Sequence, residues 1–289
     1  MRRRSFAAYS FVAPAACLFV TFTFIPVVMA FIMAFQEVGI FGREWVGFEN
    51  FRQVFQNPDF WVALKNTFLY AFFHVVKNIS VALILASLVA PLSEGVQSFF
   101  RAVYYLPTVI ATVVMGIVWG WLLNYSFGPI NTLLVKLGGK PVPWLVDPAI
   151  AMWSIILTDM VIAPGSGVIL YLAAINNIPK SLYEAAELDG ASSFYRWLKI
   201  TVPLVTPTTL YLAVVYTITG ISIFDKVYVL TGGGPGNATV TLVYLIYNTA
   251  FRDFNYGVAS AISLIFFGIA VVISIFQFRL MSRSYEWEG

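Results

Sequence analysis

The chain has 289 residues, of which 60% are hydrophobic and only 11% are charged. Soluble domains carry about 25% charged residues, so this composition excludes a soluble globular protein and indicates a membrane protein. The formal net charge of +3 is small and scattered, which argues against nucleic-acid binding. One cysteine and one histidine exclude both a disulfide framework and a His/Cys metal cluster.

Long apolar runs follow one another along the chain, and each can cross a bilayer core, which needs about 20 apolar residues in a helix. Helices are expected because lipid cannot satisfy irregular backbone. We predict an all-α membrane protein with one transmembrane domain at 11–280 (core about 62–280), between a cytoplasmic N-terminus (1–10) and a cytoplasmic tail (281–289). The six predicted spans are about 11–35, 66–90, 102–123, 149–174, 204–225 and 257–279.

Basic residues set the predicted orientation. Arg2, Arg3 and Arg4 precede the first span and predict a cytoplasmic N-terminus, and six spans return the C-terminus to the same side. A competing interpretation is a signal peptide with a lipoprotein-like cleavage site at Cys17. The apolar run before Cys17 is short and the run after it continues to Phe35, which favours a retained span.

A few ionisable side chains lie inside predicted spans. His74, Lys77 and Asn78 are spaced so that they share one face of the second span, and Asp159 lies in the fourth. A charge at this depth costs a few kcal/mol unless it is paired or hydrated. Two interpretations stay open: Asp159 contacts a substrate hydroxyl, or Asp159 locks two helices together by pairing with Lys77 or His74.

A polar, amphipathic segment separates the fourth and fifth spans. Pro179 can open a short helix, and Ser181 with Glu184 forms a capping box that would start it two residues later. Gly190 can end this helix because it adopts the left-handed conformation at no steric cost. Pro203 lacks an N–H and is expected to turn the chain into the next span. The pattern predicts a docking surface for a soluble protein, although an ordinary capped loop has the same local features.

This segment, residues 178–203, resembles the EAA loop of permease subunits in binding-protein-dependent ABC importers. Similarity to the carbohydrate-uptake permeases of that family extends over about 10–280, through Phe100–Pro107, Gly128–Asn131 and Phe224–Pro235. The residues that match the EAA pattern at the family spacing are Glu184, Ala185, Ala186, Asp189, Gly190, Ala191, Ile200 and Pro203. The resemblance implies the type I ABC importer permease fold in a bacterial or archaeal inner membrane.

The resemblance also implies partners and a non-catalytic role. In that family two permease subunits form the pathway, here expected as a heterodimer, and an extracytoplasmic binding protein delivers the substrate. Two ATPase subunits bind the cytoplasmic loops and carry ATP and magnesium, so no cofactor is expected in this chain. The implied ATPase-coupling residues are Glu184, Ala185, Ala186, Asp189, Gly190, Ala191 and Pro203. The fourth and fifth spans line the family's central cavity, so the candidate pathway residues are Asp159, Ser166, Thr219 and Ser222.

A glycine-rich stretch, Thr231–Gly236, lacks the Gly-Lys-Ser/Thr ending of a nucleotide-binding loop. We expect it on the outer side, either as a tight loop near the binding protein or as a flexible connector. This difference from a nucleotide-binding loop agrees with an ATPase carried on other subunits.

The cargo is expected to be a neutral carbohydrate, more specifically a small oligosaccharide or glycoside. A phosphate calls for Arg, Lys or helix N-termini along its route, and Lys77 is the one cation well inside a predicted span. Glycerol-3-phosphate or another polyol-type solute is the alternative within the same class. A secondary transporter would need inverted repeats, and a membrane enzyme would need a catalytic cluster; the sequence shows neither.

Overall fold

The computed structural model describes residues 2–39 and 42–285 and is mostly helical. Two π-helical turns, Val20–Phe24 and Trp197–Thr201, join consecutive α-helices. The helices are α1 (Arg2–Phe19), α2 (Ile25–Met33), α3 (Glu49–Gln56), α4 (Pro58–Val89), α5 (Glu94–Val109), α6 (Thr112–Leu122), α7 (Pro129–Lys136), α8 (Ala151–Met160), α9 (Gly165–Asn176), α10 (Lys180–Leu188), α11 (Ser193–Arg196), α12 (Val202–Leu204), α13 (Thr206–Ile221), α14 (Asp225–Leu230), α15 (Leu242–Phe251) and α16 (Tyr256–Tyr285).

One element departs from the all-α prediction. Strands β1 (Gln36–Gly39) and β2 (Gly42–Trp45) form an antiparallel hairpin in which Gln36 pairs with Trp45. Each strand has only four residues and carries polar side chains, so no apolar alternation marks the hairpin in the sequence. The all-α description therefore holds for the bulk of the chain but not for this connection.

Within residues 2–39 and 42–285, four helical stretches are long and apolar enough to cross a membrane alone. They are Phe11–Met33, Pro58–Val89, Thr206–Leu230 and Tyr256–Arg279. Two further pairs of helices are long and apolar enough when each pair is taken together, but each pair is bent. The bend is 84° between α5 and α6 and 42° between α8 and α9. Counting each bent pair as one span gives up to six. Helix α4 has 32 residues and is therefore about 48 Å long at 1.5 Å per residue, so it extends well beyond a hydrocarbon core of about 30 Å.

Prolines accompany both bends. Pro107 lies in the last turn of α5, and Ile110 just after it is extended. Pro164 stands at the N-cap of α9, where the backbone leaves the helical region. Proline has no N–H to donate and disfavours helical backbone in the residue before it, which explains the break ahead of Pro164. At Pro107 the helix continues through the proline and ends at Val109.

The chain divides into two compact units. They comprise Met1–Trp61 with Leu245–Ile269, and Val62–Tyr244 with Ala270–Gly289. In the first unit, buried Asn50 on α3 donates to the carbonyl oxygens of Ala34 (2.9 Å) and Gln36 (3.0 Å). A Cβ at Gly257, in the first turn of α16, would collide with the Gln36 carbonyl oxygen. The hairpin, α3 and the start of α16 therefore pack closely around Asn50.

The second unit holds a buried apolar cluster, to which α4, α9 and α13 contribute together with the chain that precedes α10 and α13. Its members are Ala82, Ala86, Val89, Val168, Tyr171, Leu172, Ile175, Ile178, Val205, Leu212 and Tyr216. Small residues allow this close approach: a Cβ on Gly167 would collide with the hydroxyl of Tyr216 and lie 3.0 Å from the Cβ of Ala82. This packing fixes α4 beside the α8–α9 bend and so positions the polar groups of both.

Candidate functional site

Five polar side chains meet inside the second unit, and we call them the buried charge cluster. Helix α4 contributes Tyr70, His74 and Lys77, which share one face because they are four and three residues apart. Asp159 comes from the last turn of α8, and Lys226 comes from the first turn of α14. Three elements that are far apart in sequence are thus joined through polar groups in an apolar protein.

Asp159 is the centre of this cluster, and it is only 6% exposed. Its Oδ1 accepts a hydrogen bond from the Tyr70 hydroxyl at 3.1 Å and makes a salt bridge with Nζ of Lys226. Its Oδ2 lies 2.9 Å from Nδ1 of His74 and 3.6 Å from Nζ of Lys77. Both carboxylate oxygens therefore have two partners each, as a buried carboxylate requires.

Lys77 is held by the protein on three sides. Its Nζ donates to Oδ1 of Asn78 at 3.0 Å and to the carbonyl oxygen of Ile162 at 2.8 Å, and it faces Asp159. The Ile162 carbonyl is available because the bend between α8 and α9 interrupts the helical hydrogen bonds there. The bend thus supplies an acceptor for a buried lysine.

The sequence analysis singled out His74, Lys77 and Asp159, and the structure places all three in the cluster. Tyr70 and Lys226 are members that it did not include. Tyr70 precedes His74 by four residues, so helical spacing could have indicated it. Lys226 falls just beyond the predicted fifth span, which ends at about 225, whereas the apolar helical stretch continues to Leu230.

The other candidate pathway residues lie on exposed positions. Ser166, Thr219 and Ser222 are all exposed, whereas Asp159 is buried. Thr219 reaches the cluster, since its Oγ1 is 3.4 Å from Nε2 of His74. Ser166 and Ser222 make no side-chain hydrogen bond to the cluster among the described residues.

The first helix of residues 178–203 is α10. We call this segment the coupling loop after the role that the sequence predicts for it. Pro179 occupies the N-cap without a side-chain hydrogen bond, so the helix starts at Lys180 and the capping-box alternative is not used. Gly190 has a φ of +78°, and its N–H donates to the Glu187 carbonyl at 3.0 Å. The Ala191 N–H donates to the Ala186 carbonyl at 2.9 Å. These bonds close the helix end as a left-handed C-cap does.

In the second half of the coupling loop, the turn predicted at Pro203 lies two residues later, at Val205. The chain stays helical from α11 through the π-helical turn into α12, which contains Pro203. The wider turn precedes the proline, where no N–H is available to continue the α-helical pattern. Two hydrogen bonds of 2.8 Å anchor this part, from Trp197 Nε1 to Ser87 Oγ on α4 and between the hydroxyls of Tyr183 and Thr201.

The surface of the coupling loop is open. Leu188 is 91% exposed and Phe194 is 69% exposed. Behind the loop, a cavity of about 360 Å³ opens beside Ser87 of α4, Tyr183 and Arg196. Of the predicted coupling residues, Ala186 and Ala191 are half-buried; the exposed ones are Glu184, Ala185, Asp189, Gly190 and Pro203.

The glycine-rich stretch Thr231–Gly236 is held by several hydrogen bonds. The Tyr244 hydroxyl donates to the Gly232 carbonyl at 2.6 Å. The Thr239 hydroxyl donates to the Gly234 carbonyl at 2.8 Å and lies 2.7 Å from that of Thr231. These bonds favour the tight loop over the flexible connector.

Comparison with known proteins identifies the family. Residues 78–284 match the family described as "Binding-protein-dependent transport system inner membrane component". The chain is 34% identical to the probable ABC transporter permease protein YurN of Bacillus subtilis, over 96% of this chain and 97% of YurN. It is 32% identical to the arabinooligosaccharides transport system permease protein AraP of the same organism, over 98% of this chain and 90% of AraP.

Comparison with solved structures supports the same family. The structure is similar to a chain of a bacterial ABC transporter involved in the import of the acidic polysaccharide alginate, with a TM-score of 0.87 and 26% sequence identity. The match covers 97% of this chain and 96% of that chain. Together with the several apolar helices, these matches establish a multi-pass membrane protein with the type I ABC importer permease fold. The chain therefore belongs to the family of binding-protein-dependent transport system inner membrane components.

Proposed function

We propose that this chain is a permease subunit of an ATP-driven ABC importer for a carbohydrate, a small oligosaccharide or glycoside. With a second permease subunit it forms the pathway, and an external binding protein delivers the cargo. The relatives named for arabinooligosaccharides and for alginate support a carbohydrate, since both names state one. The chain itself is non-catalytic, because ATP and magnesium bind to the partner ATPase subunits.

The observation that carries this proposal is the exposed apolar surface of the coupling loop. Leu188 is 91% exposed on a helix whose end is fixed by backbone hydrogen bonds. An exposed apolar side chain on such a fixed helix indicates a surface that a partner covers. We assign this surface to an ATPase subunit. The bonds from Trp197 to Ser87 and from Tyr183 to Thr201 then connect the loop to the spans. A displacement of α10 by ATPase closure is transmitted through these bonds to α4 and to the chain that leads into α13.

The pathway is assigned to the side of the spans that carries exposed hydroxyls. Ser166, Thr219 and Ser222 are exposed on or next to apolar helices, where a polar group needs water or a polar partner rather than lipid. Asp159 is too enclosed to be the first contact of a cargo. We therefore place the hydroxyls at the pathway surface and Asp159 behind them.

The proposed topology has six spans, each bent pair crossing once, with both chain ends and the coupling loop in the cytoplasm. Reporter fusions after Ser181 and Met281 are then expected to score cytoplasmic. Fusions near Gly139 and Gly236 are expected to score external. A cytoplasmic signal at Gly139 would contradict the six-span arrangement.

The deciding experiment is transport by the reconstituted complex. The chain is combined in proteoliposomes with a second permease, the ATPase subunits and the binding protein of the same transport system. ATP-dependent uptake of labelled oligosaccharides, lost when any component is omitted, is the expected result. Uptake of glycerol-3-phosphate or a polyol with no response to any sugar would favour the alternative cargo. Uptake by this chain alone, driven by an ion gradient, would show a secondary transporter.

A further inference from the structure

The buried charge cluster contains more positive than negative charge. It holds two lysines, Lys77 and Lys226, and the salt bridges of both end on the single carboxylate of Asp159. Among the side chains that the structure describes, in residues 11–39 and 42–279, no second carboxylate forms a salt bridge with either lysine. One buried positive charge is therefore left without a counter-charge, an unfavourable arrangement in a protein interior and more so in a membrane span.

The two lysines differ in what remains available to a ligand. Lys77 is surrounded by Asn78 Oδ1, the Ile162 carbonyl and Asp159, and its side chain is 6% exposed. Lys226 has two hydrogen-bond acceptors among the described residues, Asp159 and the Tyr70 hydroxyl at 3.2 Å, and its side chain is 15% exposed. An ammonium group has three N–H donors, so Lys226 retains one for a further acceptor.

The cluster opens towards polar groups. The His74 side chain is 16% exposed, and its Nε2 lies 3.4 Å from the hydroxyl of exposed Thr219. Exposed Ser222 precedes Lys226 by four residues, across the break between α13 and α14. Exposed hydroxyls next to apolar helices indicate water or a polar ligand on this side. Thr219 is linked to Lys226 through His74 and Asp159, so it marks the exposed side of the cluster.

We propose that Lys226 is an anion-binding residue of the transport pathway. The ligand is a carboxylate, sulfonate or phosphate group carried on the cargo, which accepts a hydrogen bond from Lys226 Nζ. This inference rests on the proposed carbohydrate pathway and narrows its cargo to an acidic glycan or glycoside. The expectation of a neutral cargo depended on Lys77 being the one cation inside a span, and the position of Lys226 removes that basis. Lysine provides a point charge without a bidentate fork, so it suits all three anionic groups.

The test compares two probes on the same reconstituted complex with its binding protein. One probe is a labelled alginate-type trisaccharide, which carries carboxylates, and the other is labelled maltotriose, a neutral sugar of the same length. The wild-type complex is expected to take up the acidic probe. Lys226→Met is expected to reduce that uptake at least tenfold while the matched control Lys136→Met, at an exposed lysine, leaves it unchanged.

Assembly is followed in parallel by size-exclusion chromatography. If Lys226→Met does not assemble, Lys226→Gln replaces it, because glutamine keeps hydrogen-bonding groups near Asp159 and Tyr70 without the charge. If neither variant assembles, Lys226 is a structural residue and the proposal is wrong. Uptake of acidic cargo that both charge-removing variants leave intact also overturns it.

The outcome for the neutral probe separates this inference from the proposed function. Wild-type uptake of maltotriose alone would overturn the anion site and leave the carbohydrate importer standing. Uptake of neither probe, together with uptake of a non-carbohydrate solute, would overturn both. Uptake of the acidic probe that is lost in Lys226→Gln but kept in Lys136→Met supports both the anion site and the carbohydrate importer.

Discussion

The buried charge cluster and the coupling loop both depart from the usual distribution of side chains, but in opposite ways. The cluster encloses charged groups within apolar helices, with Asp159 only 6% exposed. The coupling loop presents apolar groups to the outside, with Leu188 91% exposed. In the first region internal bonds compensate the burial of the charged groups only in part, because two lysines share one carboxylate. In the second region nothing within the described chain covers it.

This contrast separates residues that hold the chain together from residues that we propose to meet a partner. The bonds of the cluster join α4, α8 and α14, so changes there are expected to lower the stability of the protein itself. The coupling loop obtains its shape from backbone hydrogen bonds at Gly190 and Ala191, which leaves its side chains available. Changes there are expected to affect the ATPase contact far more than stability.

The largest expected effect is that of Asp159→Asn. Asparagine keeps the size but removes the negative charge, which leaves two lysines without a counter-charge. Breaking a buried pair by removing one partner typically costs about 3–5 kcal/mol. The melting temperature of the detergent-solubilised chain is therefore expected to fall sharply. Asp253→Asn, the same exchange at an exposed position, is the control and should leave it unchanged.

A second substitution tests whether electrostatic compensation explains that effect. Adding Lys77→Met to Asp159→Asn removes one of the two uncompensated charges, so the double variant should recover about 1–3 kcal/mol of the lost stability. Recovery is partial because Lys226 remains. If the double variant melts below both single variants, Asp159 and Lys77 are not a stabilising pair.

Local spacing predicted part of the cluster and could not predict the rest. His74 and Lys77 are recognisable because they share a helical face in an apolar run. Lys226 joins Asp159 across 67 positions in sequence and over a helix break at Ser222–Phe224, which no periodicity reveals. The same limit applies to the hairpin at Gln36–Trp45, whose strands are too short and polar to show a pattern.

The coupling loop was more predictable because its shape depends on local chemistry. Pro179 before the helix and Gly190 after it act through their own backbone preferences, and the structure shows both. The turn predicted at Pro203 lies two residues later, at Val205. The π-helical turn before the proline has no signal in the local sequence, since Trp197 in that turn bonds to Ser87 on α4. The partner of the loop is a second molecule, so local backbone preferences do not reveal it, and its identity stays a prediction.

A smaller effect on stability is expected for Gly190→Val, with a large effect on coupling. Gly190 has a φ of +78°, where an L-residue costs roughly 1–2 kcal/mol. Valine should shift the end of α10 and abolish ATPase binding while the chain still inserts. Co-purification of the ATPase subunits and ATP-driven uptake measure this. Gly95→Val is the matched control, since Gly95 is exposed, has open space around it and shows no left-handed φ.

Reversing the charge of Glu184 gives an independent test of the same surface. Glu184→Lys alters no backbone preference, so it is expected to leave the melting temperature unchanged and still weaken ATPase binding. If transport-coupled ATP hydrolysis survives both Gly190→Val and Glu184→Lys, the loop does not dock the ATPase.

The smallest expected effect on stability is that of Leu188→Ser, and it is the sharpest test of the contrast. Since Leu188 is 91% exposed, the free energy of unfolding should change by no more than about 0.5 kcal/mol. At an interface centre, however, losing an apolar anchor costs more than about 1 kcal/mol, so the Kd for the ATPase subunit should rise about tenfold. Leu137→Ser, at a leucine that is 76% exposed on the predicted outer side, should change neither quantity. A lower melting temperature for Leu188→Ser would mean that the leucine is covered within the chain. Equal weakening by Leu137→Ser would mean that the binding is non-specific. If Leu188→Ser leaves the affinity for the ATPase subunit unchanged while Gly190→Val abolishes binding, the contact depends on the shape of the loop and not on its apolar surface.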